Sequence, residues 1–194
     1  ESSDTYNKTL SILQNKEKIP HVEKIGNKFY NFWKDDQHIK GVWRRTTFES
    51  YTSNNTDWEI VLDLDKLCEI ENQSWVYSGH LLYDLEQNIL PTRTLIHLSV
   101  GGSDANVIRE FDLIKCQFVD PILENGFYLP EAKTTVCWKS FNTLIVGTNF
   151  NDNNSLTSSG YPRVVHEWNR GTSLIESSTR IFEGELTDVN VSQS

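Results

Sequence analysis

Residues 28–64 read KFYNFWKDDQHIKGVWRRTTFESYTSNNTDWEIVLDL, and this stretch decides the fold. It holds three short runs rich in aromatic and β-branched residues, separated by polar turns: Phe29–Trp33, Val42–Phe48 and Trp58–Leu62. Each run has the length of a strand rather than a helix, and Gly41 and the Asn54–Asn55 pair punctuate them. The stretch therefore predicts one antiparallel meander.

The same meander recurs twice further along the chain. The predicted third strands carry the related sequences GVWRR, NVIRE and RVVHE, which place Val42, Val107 and Val164 at matching positions. A four-stranded unit that returns every roughly 45–65 residues is typical of a β-propeller blade, whose repeats run ~40–50 residues. The structural alternative is an ordinary β-sandwich in which the similarity between these strand sequences arose by chance.

The sequence divides into a lead-in and a series of predicted sheet units. Residues 1–20 form the lead-in, with one short helix predicted over Thr5 to Lys18 and ended by Ile19–Pro20, because the residue before proline avoids the helical region. The fold class is all-β, a partial β-propeller of about three four-stranded antiparallel blades within residues 21–194. The predicted blades cover about 21–70, 71–125 and 126–186, and 187–194 begins a fourth.

Composition and charge argue against several classes of partner. The 194 residues include 27 acidic and 18 basic residues, for a net charge of −9, which disfavours nucleic acid and anionic membranes as partners. No apolar run reaches the ~20 residues that span a bilayer. The start is polar, and methionine is absent even at position 1. We therefore expect that the sequence begins inside a longer reading frame or was processed.

The three cysteines, Cys68, Cys116 and Cys137, are odd in number and widely spaced. They form neither a disulfide framework nor a Cys-x-x-Cys zinc motif. We interpret them as small buried residues of a protein in a reducing compartment, which favours the cytoplasm.

No residue set in the sequence has the spacing of a catalytic, cofactor-binding or metal site. The five histidines include no metal-binding i,i+4 pair, and His97 and His166 are expected at ordinary strand positions. Asp63 and Asp65 could form an acid–base pair, but turn and capping roles are commoner. We therefore predict no catalytic residues, no cofactor and no metal.

Two further features have a structural and a functional interpretation. Arg44 and Arg45 beside Trp43 could hold a carboxylate and stack on an aromatic ring, although a cross-strand charge pair is the commoner role. The NFNDNN run within the polar loop Asn149–Gly160 lacks the glycine and distal glutamate of a calcium loop. The loop is nevertheless the best functional candidate by position, because binding at propellers uses the loops at their rims.

Several segments, in this order and spacing, resemble the propeller domain of prolyl oligopeptidase-family serine peptidases. They are IPHVEKIGNKFYNFWKDD, GVWRRTT and WEIVLDLDKL within residues 19–67, then GGSDANVIREFDL, FYLPEAK and SSGYPRVVHEWNRG within residues 101–171. The resemblance covers nearly the whole chain, including the lead-in.

This resemblance implies a seven-bladed propeller stacked on a C-terminal α/β-hydrolase domain that carries the catalytic Ser, Asp and His. The propeller would admit only short peptides to that domain. The present sequence has no Gly-x-Ser-x-Gly elbow, since Gly171-Thr172-Ser173-Leu174-Ile175 lacks the second glycine. No catalytic residue is carried over, and hydrolysis by this chain alone is not expected.

Two functional hypotheses follow. The first is a non-catalytic propeller fragment of a prolyl oligopeptidase-like serine peptidase, with the hydrolase domain and a peptide substrate as partners. The second is a free-standing β-sheet interaction module without peptidase activity. Because three blades leave two sheet faces uncovered, we also expect the chain to self-associate.

Overall fold

In the computed structural model, which describes residues 4, 6, 20–85, 90–188 and 191, the described strands form three antiparallel sheets in succession. The first sheet contains β1 (Glu23–Ile25), β2 (Lys28–Trp33), β3 (Val42–Thr47) and β4 (Glu59–Asp63). The second contains β5 (Trp75–Leu82), β6 (Arg93–Val100), β7 (Asn106–Asp112) and β8 (Gln117–Phe118), and β9 (Tyr128–Ala132) also pairs with β7. The third contains β10 (Thr135–Ser140), β11 (Thr143–Gly147), β12 (Val164–Asn169) and β13 (Thr179–Glu183).

Each sheet contains a four-stranded meander in which strands adjacent in sequence are adjacent in space, and β9 is added to the second sheet by pairing with β7. This arrangement confirms the all-β class and the repeated four-stranded unit, and it excludes two sheets stacked as a sandwich. The second sheet extends to Ala132, because β9 pairs with β7 on the same side as β8. The helix expected over Thr5 to Lys18 lies outside the described residues, apart from position 6. Of the predicted start of a fourth blade at 187–194, only residues 187, 188 and 191 are described, and none of these three is in a strand.

In the part of the chain from residue 20 onward that the structure describes, three short α-helices join or follow strands: α1 (Phe48–Tyr51), α2 (Leu64–Glu71) and α3 (Leu174–Ser177). The N-cap of α2 is Asp63, whose carboxylate accepts a hydrogen bond from the Lys66 amide, and Asn72 ends the helix in the left-handed region at φ 48°. Within the predicted third blade, the chain forms α3 before its last strand begins at Thr179.

The core lies between the sheets rather than within any one of them. We call the packing layer between the first and second sheets the first seam, and that between the second and third sheets the second seam. The buried residues of the first seam include Trp43, Leu64, Ile96 and Phe111. Each such side chain contributes about 1.5–3 kcal/mol when fully buried, so the seams hold the sheets together.

Aromatic rings dominate both seams. In the first seam, Phe32 stacks on Tyr77 with ring centroids 4.6 Å apart and planes 8° from parallel. In the second seam, Phe127 meets Trp168 nearly edge to face at 4.9 Å. Such ring pairs contribute about 0.5–1.5 kcal/mol beyond the area they bury.

A buried carboxylate also links the second and third sheets. Glu110 on β7 has a fully buried side chain, and Arg170, which follows β12, donates to it at 2.6 and 3.1 Å. The Phe127 amide donates to the same carboxylate at 2.9 Å. Arg170 also stacks on the Phe127 and Phe141 rings, at 4.4 and 4.8 Å from guanidinium carbon to ring centroid. One arginine therefore neutralises a buried charge and covers two rings across the second seam.

The first strands of successive sheets lie close together, whereas β13, the last strand of the third sheet, is open to solvent. Glu23 on β1 reaches His80 on β5 at 3.3 Å, and Trp138 on β10 donates to the Leu81 carbonyl on β5 at 3.1 Å. All five residues of β13 are exposed. The first strands therefore form the inner edge of the arc of sheets, which is the channel side of a propeller.

We predict that Arg170→Met will destabilise the chain by about 3 kcal/mol, because it leaves the buried Glu110 carboxylate without its main partner while keeping the aliphatic packing. The matched control is Arg180→Met, since Arg180 pairs with Glu183 on the surface and is 62% exposed. The control should change the free energy of unfolding by less than about 0.5 kcal/mol. Urea unfolding of the wild type and the two variants at one protein concentration measures both changes. Equal losses of unfolding free energy in the two variants would contradict the role of Arg170 as the partner of buried Glu110.

Candidate functional site at the inner edge of the first seam

A β-bulge in β5 brings two polar side chains to the same face of the strand. Tyr77 pairs with Leu98 and Gly79 with His97, so Ser78 is the extra residue. Residues three apart in a regular strand point to opposite faces, but the bulge places Tyr77 and His80 together on the face toward the first sheet. Gly79 has φ +129°, and no atom lies within 4 Å of the place where its Cβ would be.

His80 lies between a tyrosine hydroxyl and a carboxylate. The Tyr77 hydroxyl lies 2.7 Å from Nδ1, and the Glu23 carboxylate lies 3.3 Å from Nε2. The Tyr77 hydroxyl therefore shares a hydrogen bond with Nδ1, and the Glu23 carboxylate acts on the imidazole through its charge. The His80 side chain is 12% exposed, the Glu23 side chain is 56% exposed, and the Trp43 ring lies 4.7 Å from the imidazole. This cluster of three side chains therefore extends from the interior of the first seam to solvent.

Burial shifts the pKa of each interior group toward its neutral form. It raises the pKa of Tyr77, and the nearby Glu23 charge adds to that effect. It lowers the pKa of His80, against the opposing attraction of Glu23. On the other face of the second sheet, burial lowers the pKa of His97 to about 4, and His80 contributes further. Both imidazoles are therefore neutral at pH 7.

This chemistry can hold and exchange a proton, but it does not assemble a hydrolytic site. The order hydroxyl, imidazole, carboxylate matches a catalytic triad, yet the hydroxyl belongs to a buried tyrosine with a raised pKa. The neighbouring Ser78 hydroxyl donates to Ser99 at 3.2 Å instead of bonding to the imidazole.

The loop from Asn149 to Gly160, our candidate from the sequence, is packed onto the third sheet. Phe150 stacks on His166 at 4.0 Å, and Ser155 and Thr157 are buried. The loop borders a shallow cleft of about 290 Å³ that also contains two arginines. Arg163 pairs with Glu183 at 2.6 Å, and its guanidinium also donates to the Asn154 carbonyl. The Arg163 charge is therefore already neutralised by a carboxylate of the chain. A binding role for this loop stays a prediction.

The structure confirms structural roles for the other residues considered. Asp63 caps α2, and the Asp65 carboxylate accepts from the Lys40 and Gly41 amides. Arg45 pairs with Glu59 across β3 and β4 at 2.5 Å.

Arg44, by contrast, lies between two indole rings on the outer face of the first sheet. The ring centroids of Trp33 and Trp58 lie 4.5 and 4.2 Å from its guanidinium carbon.

His166, which the sequence placed at an ordinary strand position, lies on β12 and shares a hydrogen bond with Ser178 at 2.7 Å.

The described ranges contain no candidate metal site and no membrane-spanning helix. The three cysteines there are free and half-buried, and no group of three or more His, Cys, Asp or Glu side chains could hold a metal ion. None of the described helices is long and apolar enough to cross a membrane.

The cluster of Tyr77, His80 and Glu23 was not predicted from the sequence. In a strand with strict alternation, Tyr77 and His80 would point to opposite faces. The available signal was Gly79 inside a strand, since such a glycine often marks a bulge.

Comparison with known proteins decides the family. Residues 1–165 match the family model of the prolyl oligopeptidase N-terminal beta-propeller domain. The chain belongs to the prolyl oligopeptidase family. This confirms the resemblance found in the sequence, and with the three sheets it establishes a partial propeller.

Relatives of known sequence or structure agree with this membership in the prolyl oligopeptidase family. The chain is 41% identical over 183 residues to an uncharacterized peptidase of Sinorhizobium fredii, covering 93% of this chain and 24% of that protein. A second uncharacterized peptidase, from Rickettsia prowazekii, is 36% identical over 170 residues, which cover 84% of this chain and 22% of that protein. The chain therefore spans about a quarter of the length of these relatives.

Solved structures of family members share the fold. A post-proline cleaving enzyme from Rickettsia typhi is 32% identical and superposes with a TM-score of 0.81, covering 98% of this chain and 27% of that one. Oligopeptidase B from Leishmania major is 12% identical with a TM-score of 0.60, covering 93% of this chain and 23% of that one. The second likeness shows the fold alone.

We predict that burial of neutral His97 makes this propeller segment lose stability in acid. The folded pKa of about 4 lies below the ordinary 6.5, so the unfolded chain binds more protons as the pH falls through that window. The full effect is about 3 kcal/mol, fully present near pH 4 and absent above pH 7. Thermal or urea unfolding of the wild type and His97→Gln between pH 7.5 and 4.5 measures it.

His97→Gln should flatten the pH dependence by that amount, even if the variant is less stable at neutral pH. The matched control, His21→Gln, removes an exposed imidazole ahead of β1 and should keep the wild-type slope. A His97→Gln protein with the wild-type slope would show that this imidazole does not carry the effect.

Proposed function

We propose that the chain is the non-catalytic propeller portion of a serine peptidase that hydrolyses short peptides. In this proposal the propeller limits access of peptides to an α/β-hydrolase domain elsewhere in the protein. The family match over residues 1–165 carries the proposal. Two relatives are named as peptidases, and the Rickettsia typhi protein is named as a post-proline cleaving enzyme, which supports peptides as substrates.

The topology supports one side of the sheets as the docking side for the hydrolase domain. A four-stranded antiparallel meander returns the chain to the side on which it entered. The segments that lead into β1, β5 and β10 therefore all lie on one side of the arc; these segments are residues 20–22, 72–74 and 133–134. Chain connections to another domain would leave from that side, and we propose that the hydrolase domain packs there.

The rigid seams support a gating role. A propeller can exclude large substrates only if its blades stay together, and the Glu110–Arg170 link and the aromatic seams supply that cohesion. The net charge of −9 supports the absence of nucleic acid and membrane partners. The three free thiols support a reducing compartment, and we propose the cytoplasm.

We also propose that the isolated chain self-associates through its two outer sheet faces. On the first sheet, Ile60 pairs with Arg44 on the face opposite the first seam and is 44% exposed. On the third sheet, Phe182 pairs with Val165 on the face opposite the second seam and is 53% exposed. Burial of such apolar groups between copies would lower the free energy of the assembly.

A chimera tests the gating function. This chain replaces the matching segment of the Sinorhizobium fredii peptidase, and kcat/KM is measured for a short prolyl peptide and for casein. We expect the chimera to cleave the short peptide and to reject casein, and the isolated chain to cleave neither. Arg170→Met in the chimera should raise casein cleavage relative to short-peptide cleavage, because it loosens the second seam.

Arg180→Met is the control in the chimera and should keep the discrimination. Two outcomes would contradict the proposed function. One is equal cleavage of both substrates by the unmodified chimera, and the other is peptide turnover that copurifies with the isolated chain.

We predict that the isolated chain forms a dimer that dissociates on dilution, and that Ile60→Glu or Phe182→Glu makes it monomeric. Burial of the new carboxylate between two copies costs desolvation free energy and opposes docking of either face. Ile70→Glu is the control, since Ile70 is 82% exposed and lies on α2 rather than on β4 or β13, the strands that carry Ile60 and Phe182. Sedimentation velocity over a dilution series gives the masses; a wild type that is monomeric at every concentration contradicts the prediction.

A further inference from the structure

Arg44 on β3 has terminal nitrogens without a partner in the described part of the chain. Its guanidinium lies between the Trp33 and Trp58 rings, and its Nε donates to the side-chain oxygen of buried Asn31 at 2.9 Å. Burial lowers the pKa of this half-buried group, and the charge of Asp35 opposes that effect. The guanidinium is therefore held in one orientation, with terminal N–H groups that match the two oxygens of a carboxylate.

The second sheet shows what such an arginine binds when another sheet covers its face. Arg109 occupies the place of Arg44 in the repeated strand sequences NVIRE and GVWRR, and it lies on the face that packs against the first sheet. It stacks on the Phe118 ring at 3.8 Å, and its terminal nitrogen donates to Glu71 at 2.7 Å. Glu71 lies on α2, which follows β4, the last strand of the preceding sheet. The carboxylate therefore comes from the segment after the last strand of the sheet before.

Only one pairing of the two outer faces repeats the packing seen within the chain. We call the face of a sheet that points to the next sheet its forward face, and the opposite face its backward face. In both seams a forward face packs on a backward face. The outer face of the third sheet, which carries Phe182, is a forward face, and the outer face of the first sheet, which carries Arg44 and Ile60, is a backward face.

Two copies joined in this way at both ends would form a closed ring. The ring would hold twice three sheets, and propellers close with roughly four to eight blades. Closure explains why an interface between unlike faces stops at a dimer instead of growing into a filament.

The segment after β13 carries a carboxylate in the place required. Glu185 follows the last strand of the third sheet, as Glu71 follows β4. Glu185 is exposed, and its carboxylate has no hydrogen bond or ion pair with any residue that the structure describes. Glu183, by contrast, is already paired with Arg163 and Arg180.

We propose that the chain associates head to tail: the forward face of the third sheet packs on the backward face of the first sheet of a second copy, and Arg44 of that copy binds Glu185. This inference rests on the proposed self-association and specifies its faces and its charged contact. Stacking fixes Arg44 before docking, so less side-chain entropy is lost when the carboxylate binds. Ile60, the cross-strand neighbour of Arg44, excludes water from the pair and strengthens the attraction.

A mixture of two blocked variants tests the pairing of the faces. Ile60→Glu blocks the backward face and places a carboxylate beside Arg44 in the same copy, whereas Phe182→Glu blocks the forward face. Each variant alone should be monomeric in sedimentation velocity, because every head-to-tail contact needs one face of each kind. Their equimolar mixture should form a one-to-one dimer, since one variant keeps an intact forward face and the other an intact backward face.

The same substitution in the two backgrounds isolates the charged contact. Arg44→Met in the Phe182→Glu copy should raise the Kd of the mixed dimer by roughly tenfold or more, because it leaves Glu185 of the other copy buried without its partner. Arg44→Met in the Ile60→Glu copy is the matched control and should leave this Kd unchanged, since its backward face is not used. Glu185→Gln should weaken the dimer only in the Ile60→Glu copy. Isothermal titration calorimetry measures each Kd.

Three outcomes would overturn the proposal while the self-association of a dimeric wild type stands. The first is a single blocked variant that stays dimeric, since two faces of the same kind would then meet. The second is a mixture that stays monomeric. The third is a Kd that falls or does not change with Arg44→Met in the Phe182→Glu copy, because docking would then bury the guanidinium without a carboxylate.

A wild type that is monomeric at every concentration would overturn both the self-association and its head-to-tail form. The mixing experiment and Glu185→Gln, on an exposed segment, decide the question even if Arg44→Met fails to fold.

Discussion

A four-stranded antiparallel sheet has two faces, and it cannot bury either of them by itself. The packing of one sheet face on the next is therefore the interaction on which the rest of this structure depends. Trp43 and Phe111 are almost fully buried in the first seam, and Phe127 and Trp168 in the second. The hydrogen-bonded ladders within each sheet fix which residues share a face, and the seams supply the apolar burial that makes the sheets stable.

The seams also determine where polar groups can lie. Glu110 is tolerated with a fully buried side chain because Arg170, Arg93 and the Phe127 amide surround it. His80 is tolerated in the first seam because burial lowers its pKa and because its Nδ1 shares a hydrogen bond with the Tyr77 hydroxyl. The same architecture therefore contains one seam crossed by a buried charged pair and one that holds a neutral imidazole.

Most of the strands could be predicted from the sequence, because alternating aromatic and β-branched runs between polar turns are local signals. The helix α2 was missed, since its apolar residues follow directly on those of β4 and only the Asp63 cap marks the change. The Glu110–Arg170 pair was out of reach, because no local pattern shows which of many distant arginines will meet a given carboxylate. The Tyr77–His80 contact was missed because the bulge breaks the alternation on which strand reasoning relies.

That bulge at Ser78 has a genetic consequence. Substitutions at Ser78 leave the number of residues between Tyr77 and His80 unchanged, so the two side chains keep their common face. Deleting one codon there would restore regular pairing to β5 and shift every later residue of the strand relative to Tyr77. Lineages that gain or lose this single residue are therefore expected to differ in whether an imidazole lies beneath the channel wall at this blade, even where the rest of their sequences agree closely.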